Sequence, residues 1–149
     1  MVELEVSADE VRDFAASLVR LQRVAYAVEA ALIRDDRIPA LRESEDELVA
    51  AGLHWLLETE NGRIVGALAY QVDDGTVDVD RLVVDPAHHR RGIGARLVRR
   101  VLQTAPRVVV STGRDNLPAR RLYEAAGFAH ERDREVLPGL YVSDYASRS

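Results

Sequence analysis

The 149-residue chain contains no cysteine, which excludes disulfides, thiolate nucleophiles and cysteine metal sites. Its absence is compatible with the cytosol, and a cytoplasmic location is the expectation. The chain also lacks any apolar run approaching the roughly 20 residues of a membrane span, and no early basic-then-apolar stretch resembles a signal peptide. No internal repeat, low-complexity stretch or interdomain linker interrupts it. The histidines show no i, i+4 pairing, so no metal is expected. There is no G-x-x-x-x-G-K-[ST] run, so a P-loop is ruled out. A dinucleotide fingerprint fails as well. Leu97 stands where its third small residue belongs, and the strand after it ends in Ser111-Thr112-Gly113 without an acid.

With 47% hydrophobic and 30% charged residues, the composition fits one globular domain over residues 1–149 with a substantial core. The net charge of −5 argues against a general nucleic-acid binder. Basic residues nevertheless gather between Arg81 and Arg121, which leaves room for a local anion site.

Val2, Leu4 and Val6 alternate with Glu3 and Glu5, the pattern of a half-buried strand. Ser7 or Asp9 can cap the helix that follows, whose apolar spacing runs from Val11 to Leu32 as one helix or two. Arg34 to Arg37 and Pro39 form a polar break. A short helix spans Ser44 to Ala51, with Ser44 and Glu47 as a capping box. Strands over Leu53–Thr59, Arg63–Val72 and Thr76–Val84 are joined by Asn61-Gly62 and by Asp73-Asp74-Gly75. They form an antiparallel meander.

After Leu82-Val83-Val84 and Asp85-Pro86 comes His89 to Val98, HRRGIGARLV. It reads as a glycine loop opening a helix. Gly92 and Gly94 let the backbone turn and let a ligand approach it closely. The first amides of the helix have no intrahelical partner, so they and the helix dipole suit phosphate oxygens. Arg90 and Arg91 add positive charge at the rim. Taken alone, the motif also fits an ordinary strand-to-helix turn with solvated arginines. The helix leads to a strand over Val108–Thr112, a parallel crossover. Asn116 then caps a helix bearing Ala119, Leu122, Tyr123 and Ala126, which Gly127 ends. Phe128 opens another strand, Pro138-Gly139 turns, and Leu140–Tyr145 is the last.

Together LVVDPAHHRRGIGARLV, the later VVVST, and Asn116-x-x-Ala119-x-x-x-Tyr123-x-x-x-Gly127-Phe128 resemble the GNAT superfamily of acyl-CoA-dependent N-acetyltransferases. The resemblance is close from Asp78 to Phe128. It implies an α/β (α+β) fold: a mixed, mostly antiparallel central sheet of about 6–7 strands, flanked by helices and splayed at two central parallel strands. The family loop is written Q/R-x-x-G-x-G/A, and His89 holds its first position here.

The resemblance implies acetyl transfer from acetyl-CoA, as cosubstrate, to a primary amine by direct attack in a ternary complex. The pantetheine arm would lie between Leu82–Val84 and Val109–Ser111, with a backbone N–H near Val83 polarising the thioester carbonyl. The pyrophosphate would sit on the amides of His89, Arg90, Arg91, Gly92, Ile93, Gly94 and Ala95. Ser111, Asn116 and Ala119 would complete the cofactor site, Asn116 holding the arm or capping its helix. Tyr123 would border the cofactor and protonate the thiolate; without the resemblance it reads as a core aromatic. Asp78 and Asp80 share one strand face and would act as base. His54, His88 and His130 are other bases in principle. Acceptor recognition would fall to residues 26–43 and 132–141, where charges of both signs leave the amine open. Expected partners are a small-molecule or peptide amine, without nucleic acid or membrane, the protein being monomer or homodimer. An acyl-CoA-binding module without turnover is the alternative.

Overall fold

The computed structural model describes residues 2–147. Alternation at the amino end produces β1 (Val2–Val6), which pairs antiparallel with β2 (His54–Glu60). Asn61 and Gly62 both adopt left-handed backbone, at φ 53° and 76°, and turn β2 tightly into β3 (Arg63–Asp73). Asp74 and Gly75 repeat the device at φ 50° and 79° and lead into β4 (Thr76–Val84). The expected meander is therefore present.

The segment after β1 begins differently from the expectation. Ser7 and Glu10 bond each other, and the backbone over Ala8–Phe14 winds as a tight 3-10 helix. It then relaxes into α1 (Ala15–Ile33), which Arg34 ends in left-handed backbone at φ 57°. After the polar connection comes α2 (Glu45–Ala50), capped reciprocally by Ser44 and Glu47.

A helix, α3 (Ile93–Leu102), crosses from β4 to the parallel strand β5 (Arg107–Gly113). Then follow α4 (Leu117–Ala125), β6 (Phe128–Leu137) and β7 (Leu140–Ser147). The last strand inserts between β5 and β6, giving the order β1-β2-β3-β4-β5-β7-β6. All these strand pairs are antiparallel except β4–β5.

Two cores lie on opposite faces of this sheet. On one, α1 and α2 bury Leu18, Leu21, Trp55, Leu57 and Val83; on the other, α3 and α4 bury Leu68, Ile93, Leu97, Val110 and Tyr123. Burying each large apolar side chain contributes about 1.5–3 kcal/mol, and these cores fix the sheet as a rigid platform.

At its centre the platform opens. Thr76–Val79 pair with Arg107–Val110, and the pairing ends there. On the other edge of β4, the register steps from Tyr70↔Val79 to Ala69↔Arg81, leaving Asp80 unpaired. Such a bulge bends and twists its strand. Beyond it β4 leaves β5, which continues beside β7. The open stretch thus begins at Asp80 and Ser111. Leu82–Val84 lie in it as expected, whereas Val109 remains paired with Asp78.

Candidate active site

The loop that closes the open end of β4 is built from turns that leave its amides free. Asp85 accepts a bond from the Ala87 N–H and holds a short turn over Pro86–His88. Arg90 and Gly92 are both left-handed, at φ 66° and 74°, and Gly92 is the N-cap of α3. The first helical bond runs from the Arg96 N–H to the Gly92 carbonyl. Consequently the amides from Arg90 to Ala95 donate to no group among the described residues. They form a cradle at a helix N-terminus, the geometry that binds phosphate oxygens.

Two glycines seat that helix. A Cβ at Gly66 of β3 would collide with Ile93. A Cβ at Gly94 would reach the Leu122 side chain of α4 at 3.4 Å, and Gly94 is not left-handed, so the turn itself does not depend on it.

The rim arginines divide by role. Arg90 is exposed and unpaired among the described residues. Arg91 is spent on Glu60 at 3.0 Å. Arg96, which the sequence did not single out, bonds the fully buried Glu58 at 3.1 and 3.0 Å and the Arg91 carbonyl at 2.9 Å. It thereby ties the loop to β2. The His89 side chain is exposed and forms no hydrogen bond or ion pair among the described residues.

Around the opening, Asp78, Asp80 and Arg81 lie on the α1 side of β4. The bulge places Arg81 opposite Ala69, and its guanidinium reaches Asp80 at 2.6 Å, Glu43 at 2.7 Å and Gln22 at 2.8 Å. Asp80 is therefore half committed to an ion pair. Burial and then the Asp80 charge push the Asp78 carboxyl above its ordinary value. Asp78 sits where β4 and β5 still pair, within the influence of Arg134 and Asp144.

The helix α4 brings Tyr123 to the opening from the other face. Its ring is 4% exposed and packs edge-on to Phe128 at 5.6 Å. Burial first, and then the Glu29 charge, hold its phenol well above the ordinary range, so it remains protonated. The hydroxyl donates to no described residue, yet it is not among the sealed, unpaired polar atoms, which are Trp55 Nε1 and His88 Nδ1. It is open to a ligand.

Asn116 does two things. Its Oδ1 accepts from the Ala119 N–H at 3.2 Å and caps α4, while its Nδ2 donates to Glu29 Oε1 at 2.7 Å. The capping half of the expectation is met. Glu29 and its neighbour Tyr26, whose phenol burial also raises, fall in the segment 26–43 expected to line the acceptor cleft, but the sequence singled out neither for a role of its own. One signal was available: Glu29 is the sole charged residue between Arg23 and Arg34.

On β5, Ser111 is exposed at the start of the open stretch and bonds Asp144 at 2.5 Å. Arg132 and Arg134 grip the same carboxylate at 2.8 and 2.7 Å. The connection after α1 reaches the β6–β7 turn through Arg37, which donates to the Pro138 carbonyl at 2.9 Å. The two segments expected to recognise the acceptor are thus joined by one hydrogen bond. His54 is engaged by the Ala8 N–H, and His130 pairs with Asp133 at 2.8 Å. Among the described residues, no three His, Asp or Glu side chains gather into a metal site, and no helix is long and apolar enough to cross a membrane.

The parallel strands part beyond Val79 and Val110, the unbonded amides of Arg90–Ala95 follow β4, and the Tyr123 hydroxyl has no partner among the described residues. The sequence is 32% identical over 132 residues to UPF0157 protein YqkA of Bacillus subtilis, covering 87% of this chain and 38% of that protein. Rat N-acetylaspartate synthetase is 37% identical over 92 residues, covering 56% of this chain and 31% of that one. The chain thus spans well under half the length of these curated relatives. The fold matches PaiA N-acetyltransferase of Thermoplasma acidophilum, solved with coenzyme A, at a TM-score of 0.78 and 15% identity, over 97% of this chain and 98% of that one. The sequence profile of the acetyltransferase (GNAT) family matches residues 16–128, and the chain belongs to that family.

Proposed function

We propose that the protein transfers an acetyl group from acetyl-CoA to a primary amine, by direct attack while both substrates are bound. The observation that carries this reading is the run of free amides from Arg90 to Ala95, set at the end of the gap between β4 and β5. The cradle suits the pyrophosphate of coenzyme A. The open edges beyond Asp80 and Ser111 suit an extended amide-bearing arm. The coenzyme A found with the Thermoplasma protein supports the same occupant. Ser111, Asn116 and Ala119 border the arm. With no cysteine in the chain, a cysteinyl acyl-enzyme is not available.

Each residue has a task in this reaction. The Asp85 N–H bonds the Val65 carbonyl, so in the register against β3 the Val83 N–H points to Ala67, and the N–H groups of its neighbours Leu82 and Val84 face the gap, where they stabilise the oxyanion that forms at the thioester carbonyl. Tyr123 gives its proton to the departing sulfur. A free thiol has a pKa of about 8.5, so this acid assists a leaving group that is already fair. Asp78 and Asp80 place negative charge on the acceptor side and draw in an ammonium. The acceptor enters beneath the contact between Arg37 and Pro138.

Thiol release from acetyl-CoA tests the reading, with aspartate, spermidine, phenethylamine and an alanyl peptide as acceptors. Aspartate is included because one relative is named for acetylating it. The expected result is amine-dependent release with at least one acceptor, and acetylated product by mass. Tight coenzyme A binding without release would leave a binding module instead.

A further inference from the structure

We propose that Glu29 is the catalytic base: its unengaged carboxylate oxygen takes the proton from the acceptor amine. This rests on the acetyl-transfer reading and assigns the step that reading leaves open.

The placement of Glu29 is unusual for a carboxylate. It interrupts the uncharged stretch Val24–Ile33 of α1 and turns inward, toward the gap. Oε1 takes the Asn116 amide at 2.7 Å, which fixes the side chain against the start of α4. Oε2 has no partner among the described residues and is not a sealed atom, so it remains accessible. Glu29 acts electrostatically on both Tyr123 and Tyr26, so it lies within electrostatic reach of the hydroxyl assigned to the thiolate. Burial raises its carboxyl and the Asn116 bond lowers it in part, leaving a stronger base than an ordinary glutamate.

The other candidates are engaged or displaced. Asp80 is held by Arg81 at 2.6 Å. Asp144 is held by two arginines and Ser111. Asp78 lies on the paired side of the opening, toward Arg134 and Asp144. The groups facing Glu29 are Tyr26 from α1 and Asn116 and Tyr123 from α4, with Asp80 and Arg81 of β4 beyond Tyr26. None of these neutralises it.

The step balances. The ammonium gives one proton to Glu29, which releases it to solvent. The freed nitrogen pair forms the N–C bond at the thioester carbonyl. The C–S bond breaks, and its electron pair leaves on sulfur, which takes the Tyr123 proton. The nitrogen loses a second proton through Glu29, and the Tyr123 phenolate recovers it. The sum is ammonium plus acetyl-CoA giving amide, free thiol and one proton.

The test compares wild type, Glu29→Gln and Asp78→Asn, using the panel amine turned over fastest. kcat/KM is measured by thiol release from pH 5.5 to 9.5, alongside acetyl-CoA affinity and thermal unfolding. Glutamine keeps an acceptor for Asn116, so folding and acetyl-CoA affinity should match wild type. At pH 7, Glu29→Gln should lower kcat/KM about 100-fold, the low end of general base catalysis. The loss should shrink toward pH 9.5, where a larger share of the amine is already neutral without a base. Asp78→Asn should keep the acid limb of the profile. A constant loss at every pH would make Glu29 structural and overturn the proposal. So would a wild-type limb in Glu29→Gln, or its disappearance in Asp78→Asn. No thiol release by wild type with any amine at any pH would overturn the transferase reading itself.

Discussion

Tyr123 meets two demands at once: a ring fitted into a core and a hydroxyl left free at a gap. Its i+4 neighbour Gly127 and the cap Asn116 made the helix legible, and the family resemblance made the hydroxyl's role legible. Tyr123→Phe separates the demands, because it keeps the ring against Phe128 and Tyr145. Turnover should fall about 10- to 1000-fold, since general acids contribute roughly 100- to 10,000-fold and a thiolate leaves readily. Melting temperature should stay near wild type, because the hydroxyl bonds no described residue. Rates and unfolding measured on one preparation check both halves, and full turnover in a folded variant would remove the acid assignment. Asp144 works in the opposite sense. Burial alone would raise its carboxyl, but Arg134, Arg132 and Ser111 hold it well below the ordinary range. Its folded value is depressed, so its stabilisation is present above the unfolded value of about 3.9 and is lost as pH falls toward the folded value. Asp144→Asn should therefore lower stability at pH 7 by about 1.5–3 kcal/mol of charged hydrogen bonding, seen as a lower melting temperature, and the difference should shrink progressively below about pH 4. A gap unchanged at pH 3 would contradict the ion pairs. None of these partners could be paired from sequence, because β7 lies beside β5 only after the chain has folded.

Elements divide into those that local chemistry specifies and those that neighbours impose. Asn61-Gly62 and Asp74-Gly75 specify two hairpins outright, since left-handed backbone at both central residues sets the turn. Ser44 and Glu47 likewise announce α2. The bulge at Asp80 has no such signature: Val77, Val79 and Val83 keep a plausible alternation, and only the register against β3 shows the slip. The gap in the sheet is therefore the least legible element, although the site depends on it. Contacts between elements can be tested one at a time. Gly66→Ala would drive a methyl into Ile93, the first residue of α3. Overpacking typically costs about 1–3 kcal/mol, and here the displaced element carries the phosphate cradle. Both stability and acetyl-CoA affinity should fall, read by chemical unfolding and calorimetry; a drop in stability alone would separate Gly66 from the loop. Arg37→Ala should act elsewhere. It removes the link to the Pro138 carbonyl, so the acceptor KM should rise while acetyl-CoA affinity holds.

The molecule as a whole carries a net charge of −5, yet it must hold a polyanion. The field of the whole chain opposes coenzyme A, so the attraction has to be local. All 20 basic residues are arginine, and several are already committed: Arg81 to Glu43, Arg91 to Glu60, and Arg96 to Glu58. The cradle therefore relies on backbone amides, with Arg90, unpaired among the described residues, as a cation beside them. That division predicts the salt response. Arg90→Ala should weaken acetyl-CoA binding and flatten its dependence on ionic strength, whereas Arg91→Ala should change it less, because Glu60 already answers that charge. A polyanion held mainly by amides should still stabilise the fold. Coenzyme A at 100 times its dissociation constant adds about 2.7 kcal/mol, which for a chain of this size is a rise in melting temperature of about 5–10 °C. Gly92→Asp puts a carboxylate and a Cβ into the cradle at a left-handed position, and it should abolish the rise while the unliganded protein still unfolds cooperatively. Two unfolding curves, with and without coenzyme A, check each protein. An equal rise in wild type and Gly92→Asp would move the binding site away from the loop. The lysine-free sequence sharpens the activity assay that accompanies it. With no lysine side chain to acetylate, thiol released beyond a single terminal-amine equivalent must come from the added amine or from hydrolysis, and the product's mass tells these apart.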